Sequence, residues 1–219
     1  MALRLESHAL LQVKCYKYLG VHLDPVLNWK EHVYCTSKKI SSRLGLMSRL
    51  RKILPSKSVK LLANSLVLPL FDYCSTAWSK CPITTKDVIV RQHKRMARIV
   101  LGVDTRTPTD YVLSQLNWTT IENRWKLQRC KLVYRALNGE APEYLTHLFK
   151  KTGNTHNYQT RSAISDGLIV NRARTNAGKQ AFSHIGATEW NGLPMNLRHA
   201  QSKHSFSAQF WRALYSAQK

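Results

Sequence analysis

A chain of 219 residues, 43% of them hydrophobic, is long enough to bury a proper core as one domain or as a domain with an appended piece. Lys and Arg number 34 against 12 Asp and Glu, giving a net charge of +22, which departs from the near-balance of an ordinary soluble enzyme and suits a polyanionic partner. No apolar run approaches the ~20 residues of a membrane-spanning helix, and five cysteines at irregular spacings, with no secretory signal before them, read as reduced thiols of an intracellular protein.

Leu10–Val13 and Tyr18–Leu23 have strand-like apolar density, with Gly20 and then Asp24-Pro25 as turn signals, so a β-hairpin or edge pair is expected over residues 1–24. A long amphipathic helix follows from Asn28 to Leu54 and is ended by Pro55. Trp29, Val33, Ile40, Leu44, Met47 and Leu54 share one face of it, with Lys38 and Arg49 opposite. Ser56 is placed to cap a second helix through Leu68, and the apolar run Leu70–Cys74 continues the core beyond Pro69. Thr84 or Thr85 opens a third helix that stops at Gly102. Ile89, His93, Met96 and Val100 form its apolar face, and Arg91, Lys94, Arg95 and Arg98 form a basic one.

A short helical turn is expected after Pro108-Thr109-Asp110. Thr119-Thr-Ile-Glu122 then reads as a capping box for a helix ending at Asn138-Gly139, with Ile121, Trp125, Leu132 and Ala136 inward. Pro142–Phe149 makes a short helix, and the aperiodic polar stretch 150–163 reads as a linker. Beyond it, Gly167–Val170, Arg172–Lys179 and Ala181–Trp190 read as short extended pieces before a final helix, Ser202 to Tyr215, striped by Phe206, Phe210 and Leu214. The expected fold class is mainly α with small β elements: a helical body over 25–149 and a small α+β tail over 164–219.

Chemistry-bearing constellations are sparse. Arg91, Lys94, Arg95 and Arg98 lie at i, i+3, i+4 and i+7 and could track phosphates from one helix face; a merely solvated face is the competing explanation. Arg49, Arg51 and Lys52 have another, since cations are favoured at a helix C-terminus. The basic strip Arg172, Arg174 and Lys179 precedes Phe182 and Trp190, an interleaving that suits single-stranded nucleic acid unless the rings simply fill a small core. Two-metal polymerase chemistry needs closely placed carboxylates, and the aspartates at 24, 72, 87, 104, 110 and 166 include no adjacent pair. Asp72, in Phe71-Asp-Tyr-Cys74, reads as a hydrogen-bonded structural residue. Pro108-Thr-Asp110 with Glu122-Asn-Arg124 has Arg where a nuclease needs Lys, and Cys74-x6-Cys81 with His93 lacks zinc spacing. No catalytic residue, cofactor or metal is assigned.

Three groups of segments together resemble a known family. Tyr16-Lys-Tyr-Leu-Gly-Val-His-Leu-Asp24 with Leu27-Asn-Trp-Lys-Glu-His32 is similar to the segment after the polymerase palm in reverse transcriptases of non-LTR retrotransposons (LINE elements). Gln92–Gly102, Leu116–Glu122 and Leu137–Leu145 resemble the helical region that follows. Thr160-Arg-Ser162, Arg174–Lys179 and Trp190-Asn-Gly-Leu-Pro194 resemble the tail of such polyproteins. The resemblance implies a thumb-like body and C-terminal tail of an RNA-directed DNA polymerase, nuclear when functional, without the endonuclease, the fingers or the palm with its Ala-Asp-Asp box. RNA and DNA, and the absent palm domain, are its implied partners; the alternative is an inert or protein-interacting remnant of a truncated retrotransposon copy that exposes its former palm-facing surface, with Trp29 or Trp78 in it. The expected phosphate contacts are Lys38, Arg49, Arg91, Lys94, Arg95, Arg98, Arg172, Arg174 and Lys179.

Overall fold

The computed structural model describes residues 4–5, 8–9, 12–154 and 167–216. They are mainly α-helical with small β elements. Residues 10–11 of the expected Leu10–Val13 strand, the linker beyond residue 154, Thr160–Ser162 and Asp166 lie outside the described residues. The chain divides into two compact units, residues 1–74 with 80–116 and residues 75–79 with 117–219. Among the described residues, no helix is long and apolar enough to cross a membrane.

In the first unit, strands β1 (Arg4–Leu5) and β2 (His8–Ala9) pair antiparallel, as do β3 (Tyr16–Tyr18) and β4 (Val21–Leu23). The β3–β4 hairpin turns through Leu19 and Gly20 at φ 45° and 81°. Two consecutive positive φ values match the right-handed strand twist, which is why glycine occupies the second. The Asp24 carboxylate then organises the chain: Oδ1 accepts from the Val26 and Asn28 N–H groups at 3.1 and 3.0 Å, and Oδ2 accepts from Trp29 N–H at 2.9 Å. Partial burial works against this charge, but the three N–H donors outweigh it and hold the carboxyl below its ordinary pKa. Because Asp24 ties down this loop, helix α1 opens at Lys30 rather than Asn28, with the Asn28 side chain accepting from Lys30 N–H at 2.9 Å.

Helix α1 (Lys30–Leu50) buries Val33, Thr36, Ile40, Leu44 and Met47 along one stripe. His32 is also buried, edge-on to Trp29, and burial, with the nearby His22 and Lys39 charges, pushes its imidazole down to about 4. Helix α2 (Ser56–Leu62) starts after Pro55. Ser56 is its first residue and makes no cap, a correction to the expected role. The helical path also continues past Pro69, through a π turn at Ala63–Val67 into α3 (Leu68–Asp72). The extra residue of a π turn opens the hydrogen-bond ladder where proline has no N–H to give.

Helix α4 (Ser75–Trp78) belongs to the second unit, and α5 (Ile83–Leu101) and α6 (Thr109–Leu116) to the first. Ile89, His93, Met96 and Val100 are buried, with His93 edge-on to Phe71 at 5.7 Å. Gln92 Nε2 donates to Ser37 O and Ser41 Oγ, while Arg51 lies against Gly102; these two pairings require α1 and α5 to run parallel.

The second unit centres on α7 (Ile121–Leu137). Its cap is Thr120, whose Oγ1 accepts from Asn123 N–H, so the expected box is shifted by one residue. Ile121, Trp125 and Ala136 are buried as expected; Leu132 is only half-buried, and Val133 and Tyr134 fill the core beside it. Trp78 packs edge-on against Trp125 at 5.1 Å. After α8 (Glu143–Thr146), Lys151 and Leu168 form a single antiparallel bridge, and the Asn191 side chain brackets both polar groups of the Leu168 backbone at 2.7 Å.

Two pieces expected to be extended are helical in part: α9 (Asn176–Gln180) and α10 (Phe182–Asn191). Thr175 Oγ1 caps the first through Gly178 N–H at 3.0 Å. Gly186, which lowers helix propensity, is there because a Cβ would come 2.9 Å from Val133 Cγ2 and 3.0 Å from Phe149 Cζ. Helices α11 (Met195–Arg198) and α12 (Lys203–Ser216) close the core with Leu197, Phe206 and Phe210.

Candidate nucleic-acid interface

Lys38 and Arg49 are eleven residues apart on α1, three helical turns, so they project from the same exposed face about 16 Å apart. The Lys38 ammonium sits 4.5 Å from the centre of the Tyr34 ring, and its hydrogen bond to Tyr34 raises its pKa. On α5, Arg91, Lys94 and Arg95 are exposed, with Arg91 Nε donating to Asp87 O at 3.3 Å.

Arg98 differs from its three neighbours. Half-buried, it donates from Nε and Nη2 to Thr107 O at 3.2 and 2.9 Å and from Nη2 to Thr109 Oγ1 at 3.0 Å. Its guanidinium therefore folds the 102–108 turn back onto α5 and starts α6, a structural role that spacing alone could not separate from a phosphate contact.

The parallel arrangement brings the C-terminal ends of α1 and α5 side by side. Between them lies a groove of about 500 Å³ lined by Ser48, Arg51, Arg95, Arg98, Ile99, Gly102, Val103 and Thr105. Helix C-termini carry partial negative charge, which offsets the repulsion of guanidinium groups gathered there. Gly102 ends α5 at φ 77°, and any Cβ on it would collide with the Arg51 guanidinium. Arg51 Nε is buried without a hydrogen-bond partner among the described residues. A donor left in this state is costly unless an acceptor arrives, so the groove offers an oxyanion Arg51, Arg95 and the hydroxyls of Ser48 and Thr105.

No family model, curated protein or solved structure matches the chain.

In the second unit, Arg172, Arg174 and Lys179 are exposed, the first two before α9 and the third within it. The rings that follow are not available for stacking on bases. Trp190 is buried against Phe206 at 5.9 Å, and Phe182 packs edge-on to Phe149 at 5.3 Å, so both fill the core.

Sequence reasoning passed over two features. Helix-terminus electrostatics explain only part of the placement of Arg51, whose position beyond the last turn of α1 lets it reach across to Gly102. Arg129 and Glu189, 60 residues apart, form a buried bidentate ion pair in the second unit: Nε to Oε2 at 2.8 Å and Nη2 to Oε1 at 2.7 Å, with Nη1 donating to Ser79 Oγ. Nothing local in the sequence marks that pairing. The acids are otherwise occupied by local structure where their bonds are seen: Asp24 holds the α1 entry, and Asp104 Oδ1 accepts from Arg106 N–H at 2.8 Å.

Proposed function

We propose that this chain is a non-catalytic, nucleic-acid-binding part of a LINE-type retrotransposon RNA-directed DNA polymerase, its thumb-like region and tail, and that it grips an RNA–DNA duplex by the phosphate backbone. The observation that carries the reading is the exposed row Arg91, Lys94 and Arg95, which runs along α5 toward the arginine-lined groove. Successive phosphates meet successive guanidinium and ammonium groups, each neutralisation releases condensed counterion, and base sequence is not read. Arg172, Arg174 and Lys179 add sequence-independent contacts from the second unit. Asp24 and Asp104 serve turns, and no paired carboxylate stands in the sequence to hold two metals, so the chain grips but does not polymerise. The nucleus is the place where such an activity would be used.

Fluorescence anisotropy with an RNA–DNA duplex over a range of salt tests this reading. Affinity is expected to fall steeply as salt rises. A flat response, or no binding at low salt, would sink it, and primer extension by the chain alone would disprove the non-catalytic part.

One observation favours a second role, contact with the palm domain that the resemblance implies. Tyr16, Tyr18, Leu19, Val26 and Leu27 are all exposed on or beside the β3–β4 hairpin, together with Tyr73, whose hydroxyl donates to Leu19 O. An apolar patch of this kind marks a partner surface. The tryptophans expected there, Trp29 and Trp78, are instead buried. Binding of 8-anilinonaphthalene sulfonate, lost when Leu19 and Val26 are replaced by Ser, checks this role.

A further inference from the structure

The β3–β4 hairpin meets the start of α1 at a point where three different donor types converge. His22 comes from β4, and Glu31 and Cys35 come from the first two turns of α1 at i and i+4. One ligand atom from each lies within 4.8 Å of the other two. Cys35 Sγ donates to Glu31 Oε1 at 3.4 Å. Cys15, just before β3, places its Sγ 4.0 Å from His22 Nδ1. We propose that His22, Glu31 and Cys35 bind a zinc-class divalent cation that pins the hairpin to α1, with Cys15 as the fourth donor.

The chemistry and the geometry of the cluster support this assignment. A thiolate, an imidazole and a carboxylate form the mixed set that a borderline-soft, tetrahedral ion accepts. Zinc–ligand bonds of about 2.0–2.3 Å put ligand atoms about 3.3–3.8 Å apart in a tetrahedron, so the cluster needs to contract by only about 1 Å. The exposed Glu31 side chain is free to make that movement. An i, i+4 contact alone explains Glu31 beside Cys35; it does not explain why His22 arrives at the same point from another element. The backbone around His22 is held independently, since its N–H donates to His32 Nδ1 at 3.4 Å. In a chain with 12 acids against 34 bases, Glu31 and the two thiolates supply the negative charge that the cation requires, near Lys38 and Lys39. Each ligating thiol gives up its proton to solvent on binding.

The test uses the full chain, reduced and stripped of metal, titrated with Zn²⁺ by calorimetry and with Co²⁺ by absorption. One Co²⁺ per chain with a thiolate-to-cobalt charge-transfer band is expected, together with a raised melting temperature. Cys35→Ser and His22→Gln should abolish the band, and Glu31→Gln, an exposed change that leaves the core alone, should weaken binding by more than about tenfold. Cys74→Ser, at an exposed thiol elsewhere, should leave it intact. Circular dichroism of the metal-free variants separates ligand loss from unfolding. No band at stoichiometric Co²⁺, or a band that survives in both Cys35→Ser and His22→Gln, overturns the site; unchanged affinity in Cys15→Ser overturns the fourth donor.

Discussion

Replacing Glu189 by Ala strands the Arg129 guanidinium in the second unit. Arg129 is 3% exposed and the Glu189 side chain 12%, and the carboxylate accepts two of the three hydrogen bonds that the guanidinium makes. After the substitution, Ser79 Oγ is the remaining partner and water has little access. Breaking a buried pair from one side costs about 3–5 kcal/mol, roughly a fifth or more of the ~5–15 kcal/mol that holds a typical domain together. Removing both charges with matched apolar residues, Arg129→Met with Glu189→Leu, leaves no stranded ion and should recover most of that loss. Urea denaturation followed by tryptophan fluorescence reads both variants, because Trp78 and Trp125 lie in this unit. At a slope of about 2 kcal/mol per molar urea, Glu189→Ala should move the midpoint by about 2 M. A loss below about 1 kcal/mol, or a double variant no better than the single one, would refute the claim that the pair is desolvated and coupled.

Four further outcomes follow from the geometry. Ala at Arg91, Lys94 and Arg95 together should lower the salt dependence of duplex binding by roughly 0.9 per lost contact without changing the melting temperature, whereas Arg98→Ala should lower the melting temperature by freeing the 102–108 turn; anisotropy and calorimetry separate the two. Asp24→Ala removes three charge-assisted backbone bonds and should cost about 1–3 kcal/mol in urea denaturation, with part of that loss appearing in the wild type as acid protonates the carboxyl. Gly186→Ala should destabilise the second unit by about 1–3 kcal/mol through overpacking against Val133 and Phe149. Burial pushes the Cys81 thiol up to about 11, and burial together with Glu189 pushes Cys130 up to about 12. Both should resist alkylation at neutral pH while Cys74 reacts. Since their folded pKa values are raised, the stability they contribute is complete below about pH 9 and is lost as pH rises toward 11–12, which urea midpoints between pH 8 and 11 would reveal.

Helix faces were legible because periodicity is a local property: Val33, Ile40, Leu44 and Met47 on α1, and Ile89, Met96 and Val100 on α5, declare their burial by spacing alone. The mainly α class, the Gly102 stop and the basic row of α5 come from the same kind of signal. Ser56 and the Thr119–Glu122 box misled because several residues near a helix start are able to cap it, and the backbone selects one. Helix α10 was missed because Gly186 weakens the local preference, while Val133 and Phe149, distant in sequence, supply the reason for glycine.

The sequence by itself determined the helical character of the chain, its excess of positive charge and the lack of adjacent aspartates, since composition, neighbour identity and period 3.6 need no partner segment. Only the tertiary structure separated Arg98, bound to Thr107 and Thr109, from the exposed Arg91, Lys94 and Arg95, and only it brought Arg51 to Gly102, Glu189 to Arg129, and His22 to Glu31 and Cys35. Those pairings join residues from 9 to 60 positions apart, and distance along the chain carries no information about which distant side chains the packing of helix faces will bring together.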